Sequence, residues 1–466
     1  MFDLLIANGQ VVTPTQVLAA DVAIEGERIA GVFQPGTPLE ARRTIDARGR
    51  YVVPGGIDAH VHFDMEFMGK SKHTFESGTI AAAFGGTTTV IDFTLDLSLQ
   101  GLPPLEQFER RRRQAEGRAV VDFGFHSVIS DGSDETLGQL EQLVAAGVPS
   151  FKMFTVYREA GLYVNDATLY SVMRRLREVG GIPVVHTENA DIVDSCTARL
   201  LAQGRRSPAD YPESRPVVAE AECIRRVMFL AKSAGVPVYI VHIAAAEAVE
   251  AVRRARAEGQ PVFGETCPHY LLLTEALYRR PDGYTFIMSP PLRTEADNAA
   301  LWEGLAGGWL STVSSDDNSI DVEDKRAGLE SFTRASPGCV DVETRLPLLF
   351  SAGVRAGRIS LQRMVEVAAT NPARIFGLYP RKGVIAPGSD ADLVLIDPER
   401  RQTLSVDSLH MQVHYSPYEG WEQVGLPVVT ISRGTVLVED GAFVGPAGHG
   451  RFLERRIDLS TLRQPF

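Results

Sequence analysis

Cysteine is scarce in this chain of 466 residues: Cys196, Cys223, Cys267 and Cys339 stand far apart, and no two form a C-x-x-C pair. That spacing excludes a disulfide framework and a zinc ribbon, and it fits a reducing cytoplasm. Positive charge is also short. Lys and Arg number 47 against 59 Asp and Glu, a formal net charge of −12, which argues against nucleic acid or an anionic membrane as partner. No apolar run approaches the roughly 18 residues that a membrane-spanning helix needs. The opening Met-Phe-Asp-Leu-Leu-Ile-Ala-Asn-Gly has no basic segment ahead of a long apolar one, so an unexported protein is expected. No Gly-rich dinucleotide fingerprint opens a helix, and no repeat or low-complexity tract is present.

What is there is alternation. Short β-type runs at 4–7, 10–12, 21–24, 28–32 and 51–53 are separated by turn residues, and the same texture returns at 391–397, 427–431 and 434–438. Between them, helical patterns at 105–116, 135–146, 166–179, 219–234, 244–258 and 295–305 alternate with apolar strand candidates. Eight such candidates lie near 52–61, 87–93, 120–128, 149–154, 182–187, 236–243, 261–267 and 311–315. Eight β/α alternations predict an α/β chain with a (β/α)8 TIM-like barrel over 54–379. Segments 1–53 and 380–445 are expected to build one small β-sandwich domain. Residues 446–466 form a polar tail, either frayed or packed on a neighbouring subunit.

The run Val-Val-Pro-Gly-Gly-Ile-Asp-Ala-His-Val-His at 52–62 ends a strand with two imidazoles. His60 and His62 are i and i+2, so on a strand both point to one face and one metal ion could bind both, although strand histidines also serve as hydrogen-bonded rim residues. Lys152, His186, His242 and Asp316 each fall within or just after another apolar run, where a barrel presents its chemistry at the carboxyl rim. Imidazole and carboxylate donors suit two borderline divalent cations, zinc first. A lysine buried in a strand is costly unless neutralised or paired. Lys152 could pair with a carboxylate, or its neutral amine could combine with carbon dioxide into a carbamate able to bridge two cations.

Together with Gly85-Gly-Thr-Thr-Thr, Gly264-Glu-Thr-Cys-Pro-His-Tyr, Met288-Ser-Pro-Pro-Leu-Arg and Pro387-Gly-Ser-Asp-Ala-Asp-Leu, this order of residues resembles the cyclic amidohydrolases of the amidohydrolase superfamily. Within these the chain is most similar to the hydantoinases and dihydropyrimidinases. The resemblance implies that His60, His62 and Asp316 hold the more buried metal ion and His186 and His242 the other, with Lys152, as N6-carboxylysine, bridging both. It implies Tyr157 as the group that steadies the substrate carbonyl, Ser289 as a backbone contact to the ring amide, and a homo-oligomer, tetramer or dimer. The implied activity opens the cyclic amide of hydantoins or dihydropyrimidines to N-carbamoyl amino acids by attack of a metal-bridging hydroxide, Asp316 moving the proton. Rival activities are those of an allantoinase, of a dihydroorotase, or of a non-catalytic assembly protein of the same fold.

Two departures bear on the substrate. Asp317 replaces the usual imidazole after Asp316 and is expected to raise the pKa of Asp316 by like-charge repulsion. Pro337 stands where the family commonly has asparagine, and it has no N–H to offer; Gly338 or Cys339 is expected to supply that contact. Asp64 and Glu66 in the loop after the first strand disfavour an anionic substrate. Met65, Phe67 and Met68 either face the cleft, favouring a hydrophobic ring substituent, or pin the loop to the barrel. Glu188 and Asn189, after His186, are expected to pack the loop, with support of a metal ligand from behind as the alternative; His73 is expected in a solvated loop rather than in the cleft, His126, His269, His410 and His414 to be hydrogen-bonded structural histidines, and His449 to be structural or solvated. Asp58 shares the face of His60 and is a candidate for orienting a ligand.

Overall fold

The computed structural model describes residues 1–463. Five strands open the chain: β1 (Phe2–Val12), β2 (Val17–Glu25), β3 (Arg28–Phe33), β4 (Ala41–Asp46) and β5 (Tyr51–Pro54). Eight follow: β6 (Gly56–Val61), β7 (Thr87–Phe93), β8 (Asp122–Val128), β9 (Ser150–Phe154), β10 (Ile182–His186), β11 (Val238–Ile240), β12 (Val262–Thr266) and β13 (Thr312–Val313). The last four are β14 (Leu393–Thr403), β15 (Glu422–Ser432), β16 (Thr435–Glu439) and β17 (Ala442–Phe443).

The middle eight pair in parallel, in simple order from β6 to β13. The ring closes where Val61 bridges Asp317 beyond β13, with the His62 N–H donated to the Asp317 carbonyl at 2.8 Å. This is the expected (β/α)8 barrel. Ile91, Phe93, Val184, Tyr239 and Phe263 fill one apolar cluster within it. The helix Asp166–Val179 illustrates the outer layer. Asn165 caps its first turn by accepting the Thr168 N–H; Leu169, Val172, Met173 and Leu176 recur every three or four residues and are buried; and Gly180 ends it in the left-handed region at φ 82°. Each such buried apolar side chain is worth about 1.5–3 kcal/mol relative to exposure.

The terminal segments form one nine-stranded sheet in the order β17-β16-β15-β14-β5-β1-β2-β3, with β4 beside β1. Its own apolar cluster includes Ile6, Val22, Val52, Leu395 and Ile431. The runs expected at 4–7 and 10–12 are one strand, β1, irregular between Ile6 and Gly9, where Asn8 takes φ 62°. Strand β4 escaped the sequence pattern because Arg42, Arg43 and Thr44 are exposed and break the alternation. Sheet and barrel are joined by a buried ion cluster: Lys382 Nζ lies 2.8, 3.1 and 2.5 Å from Asp122, Asp390 and Asp392, and Arg433 Nε lies 3.1 Å from Asp122.

Over 446–463 the tail is not frayed. Over its described part it packs on its own barrel: Leu453 N–H donates to the Phe123 carbonyl at 2.8 Å, the buried Arg455 reaches Ser150 Oγ at 2.9 Å, and Leu462 is fully covered. Its apolar anchors are few, which makes the segment read as polar. Residues 464–466 of the expected tail lie outside the described residues.

Candidate metal centre and substrate cleft

Six side chains converge from six different places in the barrel. His60 sits on β6 and His62 just beyond it, Lys152 on β9, His186 at the end of β10, His242 two residues past β11 and Asp316 three past β13. All six line one cleft, together with Tyr157, Ser289, Pro337 and Gly338. Three positions there, Tyr157, His242 and Asp316, hold positive φ angles of 69°, 39° and 51°. Non-glycine residues enter that region only when the surroundings fix them, and such strain concentrates at functional sites.

His60 Nε2 and His62 Nε2 lie 3.0 and 3.2 Å from the same oxygen of Asp316, so one ion could reach all three. The His242 ring centroid is 5.6 Å from that of His60 and 4.4 Å from that of His186. Lys152 Nζ stands over Phe93 and Phe154, 5.0 and 4.8 Å from the ring centroids. Among the described residues no carboxylate pairs with it directly, so the partner left open in the sequence is not there. Burial brings the Lys152 pKa down to about 8 against the pull of Asp316 and Glu265, which puts the neutral amine within reach.

Burial also lowers His62 to about 4 and depresses His186 and His242, leaving neutral imidazoles. At His60 burial is outweighed by Asp316 and Glu265, which raise it to about 9. Burial pushes the Asp316 carboxyl up, but His60 and the hydrogen bonds from His60 and His62 hold it well below the ordinary value. The repulsion expected from Asp317 is absent because that side chain turns away. It accepts the N–H groups of Asp341 and Val342 at 3.0 and 3.1 Å and meets His73 Nδ1 at 2.9 Å. His73, expected in solvent, is fully buried as its partner.

The imidazoles are themselves oriented. Glu265 Oε1 accepts from His60 Nδ1 at 2.7 Å, which turns Nε2 toward the cleft. Glu188, buried and not merely packing the loop, accepts from His186 Nε2 at 2.7 Å and from Arg215 at 2.6 Å. Such outer carboxylates fix ring orientation and tautomer in metal centres. Glu265 was missed in the sequence; its one signal is a charged residue inside a β-rich run. Asn189 caps the helix Ala190–Ala202. Asp58 meets a ligand residue through the backbone: it accepts the His60 N–H at 3.3 Å and the Ser315 N–H at 3.0 Å, and lies 3.3 Å from Arg345. His126, His269, His410, His414 and His449 are hydrogen-bonded.

Met65 and Phe67 line the cleft, whereas Met68 is 42% exposed. Phe67 meets the Tyr157 ring edge to face at 5.4 Å. Burial keeps the Tyr157 hydroxyl protonated, so it remains a donor. Ser289 Oγ is held by Tyr211 at 2.8 Å. Gly338 lines the cleft with φ 155°, where a Cβ would come within 2.8 Å of the Asn318 carbonyl. Its N–H is already donated to Ile287 at 3.1 Å and its carbonyl accepts from Lys325 Nζ at 2.5 Å, so what it offers a ligand is the second lone pair of that carbonyl and a close approach.

The amidohydrolase family model matches residues 51–437. The chain belongs to the amidohydrolase family. It is 42% identical over 459 residues to a D-hydantoinase of Streptomyces coelicolor, covering 97% of each chain. It is 41% identical over 456 residues to a D-hydantoinase of Geobacillus stearothermophilus, covering 97% of this chain and 96% of that one. The crystal structure of a dihydropyrimidinase from Brevibacillus agri superposes with a TM-score of 0.94 at 40% identity, covering 97% of this chain and 98% of that one. Membership of the amidohydrolase family implies divalent metal ions, and the residues present fit them. Nε2 of His60 and of His62 converge on a carboxylate oxygen, and Nδ1 of the buried His242 has no partner among the described residues. A cation between His60 and Asp316 would displace the proton they share.

Proposed function

We propose that this amidohydrolase opens the rings of cyclic ureides and imides, converting neutral 5-substituted hydantoins, and dihydropyrimidines after them, to N-carbamoyl amino acids. The observation that carries it is the meeting of His60, His62, Lys152, His186, His242 and Asp316 in one cleft whose lining, among the described residues, includes no arginine. A substrate carboxylate calls for a bidentate arginine, so a neutral ring fits better than the anionic ring of a dihydroorotase. The non-catalytic alternative is disfavoured because all six candidate ligands are present and close.

In this proposal His60, His62 and Asp316 would hold one divalent cation and His186 and His242 a second, zinc being the best match to these donors, and Lys152, as a carbamate, would add an anionic oxygen donor. Bound metal supplies an activated water and polarises the carbonyl. The chain does the rest. Tyr157 donates its hydroxyl proton in a hydrogen bond to the carbonyl oxygen as charge collects there. Asp316 takes the proton of the attacking water and passes it to the ring nitrogen as the C–N bond breaks. The Ser289 backbone and Gly338 carbonyl hold the ring edge, and Met65 and Phe67 take an apolar 5-substituent. A homo-oligomer, tetramer or dimer, belongs to the same proposal, supported by Phe229, 68% exposed on the helix Val217–Ala234. A reducing cytoplasm is supported by four unpaired cysteines.

The test is a substrate panel on metal-replete protein: a 5-substituted hydantoin, dihydrouracil, allantoin and dihydroorotate. Turnover is expected in that order of preference, with the last two poor. Dihydroorotate as the best substrate would reverse the assignment.

A further inference from the structure

Asn318 lies two residues beyond Asp316 and lines the same cleft as Asp316, Ser289 and Gly338. Asp317, between them, turns its carboxylate away to His73. The backbone holds Asn318 in place, its N–H donated to the Cys339 carbonyl at 2.8 Å and its side-chain Nδ2 to the Pro337 carbonyl at 3.1 Å. That second contact fixes which end of the amide is which, since the flipped arrangement would set two oxygens against each other. Oδ1 is therefore the spare end, and among the described residues it is buried without a donor. A buried carbonyl with no donor is costly, and native proteins keep few of them outside places that a ligand or water completes.

The neighbouring wall cannot donate either. Pro337 has no N–H and that of Gly338 is taken by Ile287. This face of the cleft thus presents an acceptor and asks its ligand for a donor. Resting on the cyclic-ureide proposal above, we infer that Asn318 Oδ1 accepts the imide N–H of the ring, the one flanked by two carbonyls, and makes the chain selective for rings unsubstituted at that nitrogen. Asn318 and Asp316 then flank one nitrogen. The amide oxygen holds its N–H while the carboxyl group presents the proton that the departing nitrogen receives.

The experiment compares hydantoin with its imide N-methyl derivative on metal-replete wild type and Asn318→Ala, using the methylated ring as a competitive inhibitor where it is not turned over. The wild type should favour the N–H ring. Asn318→Ala should lose about tenfold on it, the worth of one neutral hydrogen bond, with little change for the methylated ring, so that the discrimination collapses. Equal losses on both rings in Asn318→Ala, or discrimination that survives in it, would overturn the assignment of Oδ1 while leaving the hydantoin proposal standing. A wild type that neither binds nor turns over any cyclic ureide would overturn both.

Discussion

Glu265 takes the Nδ1 proton of His60 at 2.7 Å. The same oxygen receives the His242 N–H at 3.1 Å, and the other accepts the Tyr239 hydroxyl at 2.7 Å. One buried carboxylate therefore sets one imidazole through its ring and another through its backbone. Glu265→Gln keeps the volume but offers only one acceptor oxygen, so the His60 ring loses its fixed tautomer. Metal affinity should fall about 10- to 100-fold, as for other outer-shell substitutions. Competition against a chelator measures it; wild-type affinity in a folded variant would remove Glu265 from this role.

Lys152 and Asp316 separate metal retention from proton transfer. Lys152→Ala removes the only lysine lining the cleft and should leave the protein with less than the wild-type metal content. It should also erase the mass increment of one carbon dioxide on the native peptide. Asp316→Asn keeps an oxygen near His60 and His62, so much of the metal should stay while kcat falls by a factor of 100 or more, about the range for loss of a general acid–base group. Elemental analysis beside single-turnover kinetics distinguishes the two.

The barrel was legible because most of its strands are apolar and helices such as Asp166–Val179 carry a 3.6-residue stripe, and the six candidate ligands because each lies within or just after such a strand. What could not be read is the direction of side chains that leave the regular pattern. Asp317 follows a residue at positive φ, so strand alternation failed there and its carboxylate swung to His73 instead of crowding Asp316. Glu265 gains meaning only through the distant His60, and Glu188 through Arg215, 27 residues on, as well as through its near neighbour His186. Strand β4 is held by parallel pairing with β1, a contact that its own exposed arginines do not announce.

Phe67 ties specificity to the loop after β6. It is 5% exposed, lines the cleft and packs its ring against Tyr157. Phe67→Ala should lower kcat/KM for a 5-aryl hydantoin about five- to tenfold more than for unsubstituted hydantoin, since an aromatic contact is worth ~1 kcal/mol beyond area burial. Parallel losses on both substrates would instead mean that Phe67 only pins the loop.

Lys325 carries the pH dependence of the cleft wall. Its Nζ donates to the carbonyls of Thr285, Ile287 and Gly338 at 2.9, 3.2 and 2.5 Å, joining the segment before Ser289 to the segment at Gly338. No carboxylate pairs with it among the described residues, and burial lowers its pKa from 10.5 to about 7. Below about pH 7 folded and unfolded chains both hold the proton, and the full penalty of the buried charge is felt. From there up to the ordinary lysine value the unfolded chain holds a proton that the folded one has released, so stability rises with pH. Lys325→Met has no proton to release and supplies the reference against which other titrating groups cancel. The Tm of wild type minus that of Lys325→Met should be flat between about pH 5 and 6 and should climb in favour of wild type from pH 7 toward pH 10. A difference that stays constant or shrinks across that window would mean the three carbonyls hold the ammonium charged, and the wall would then be braced independently of pH.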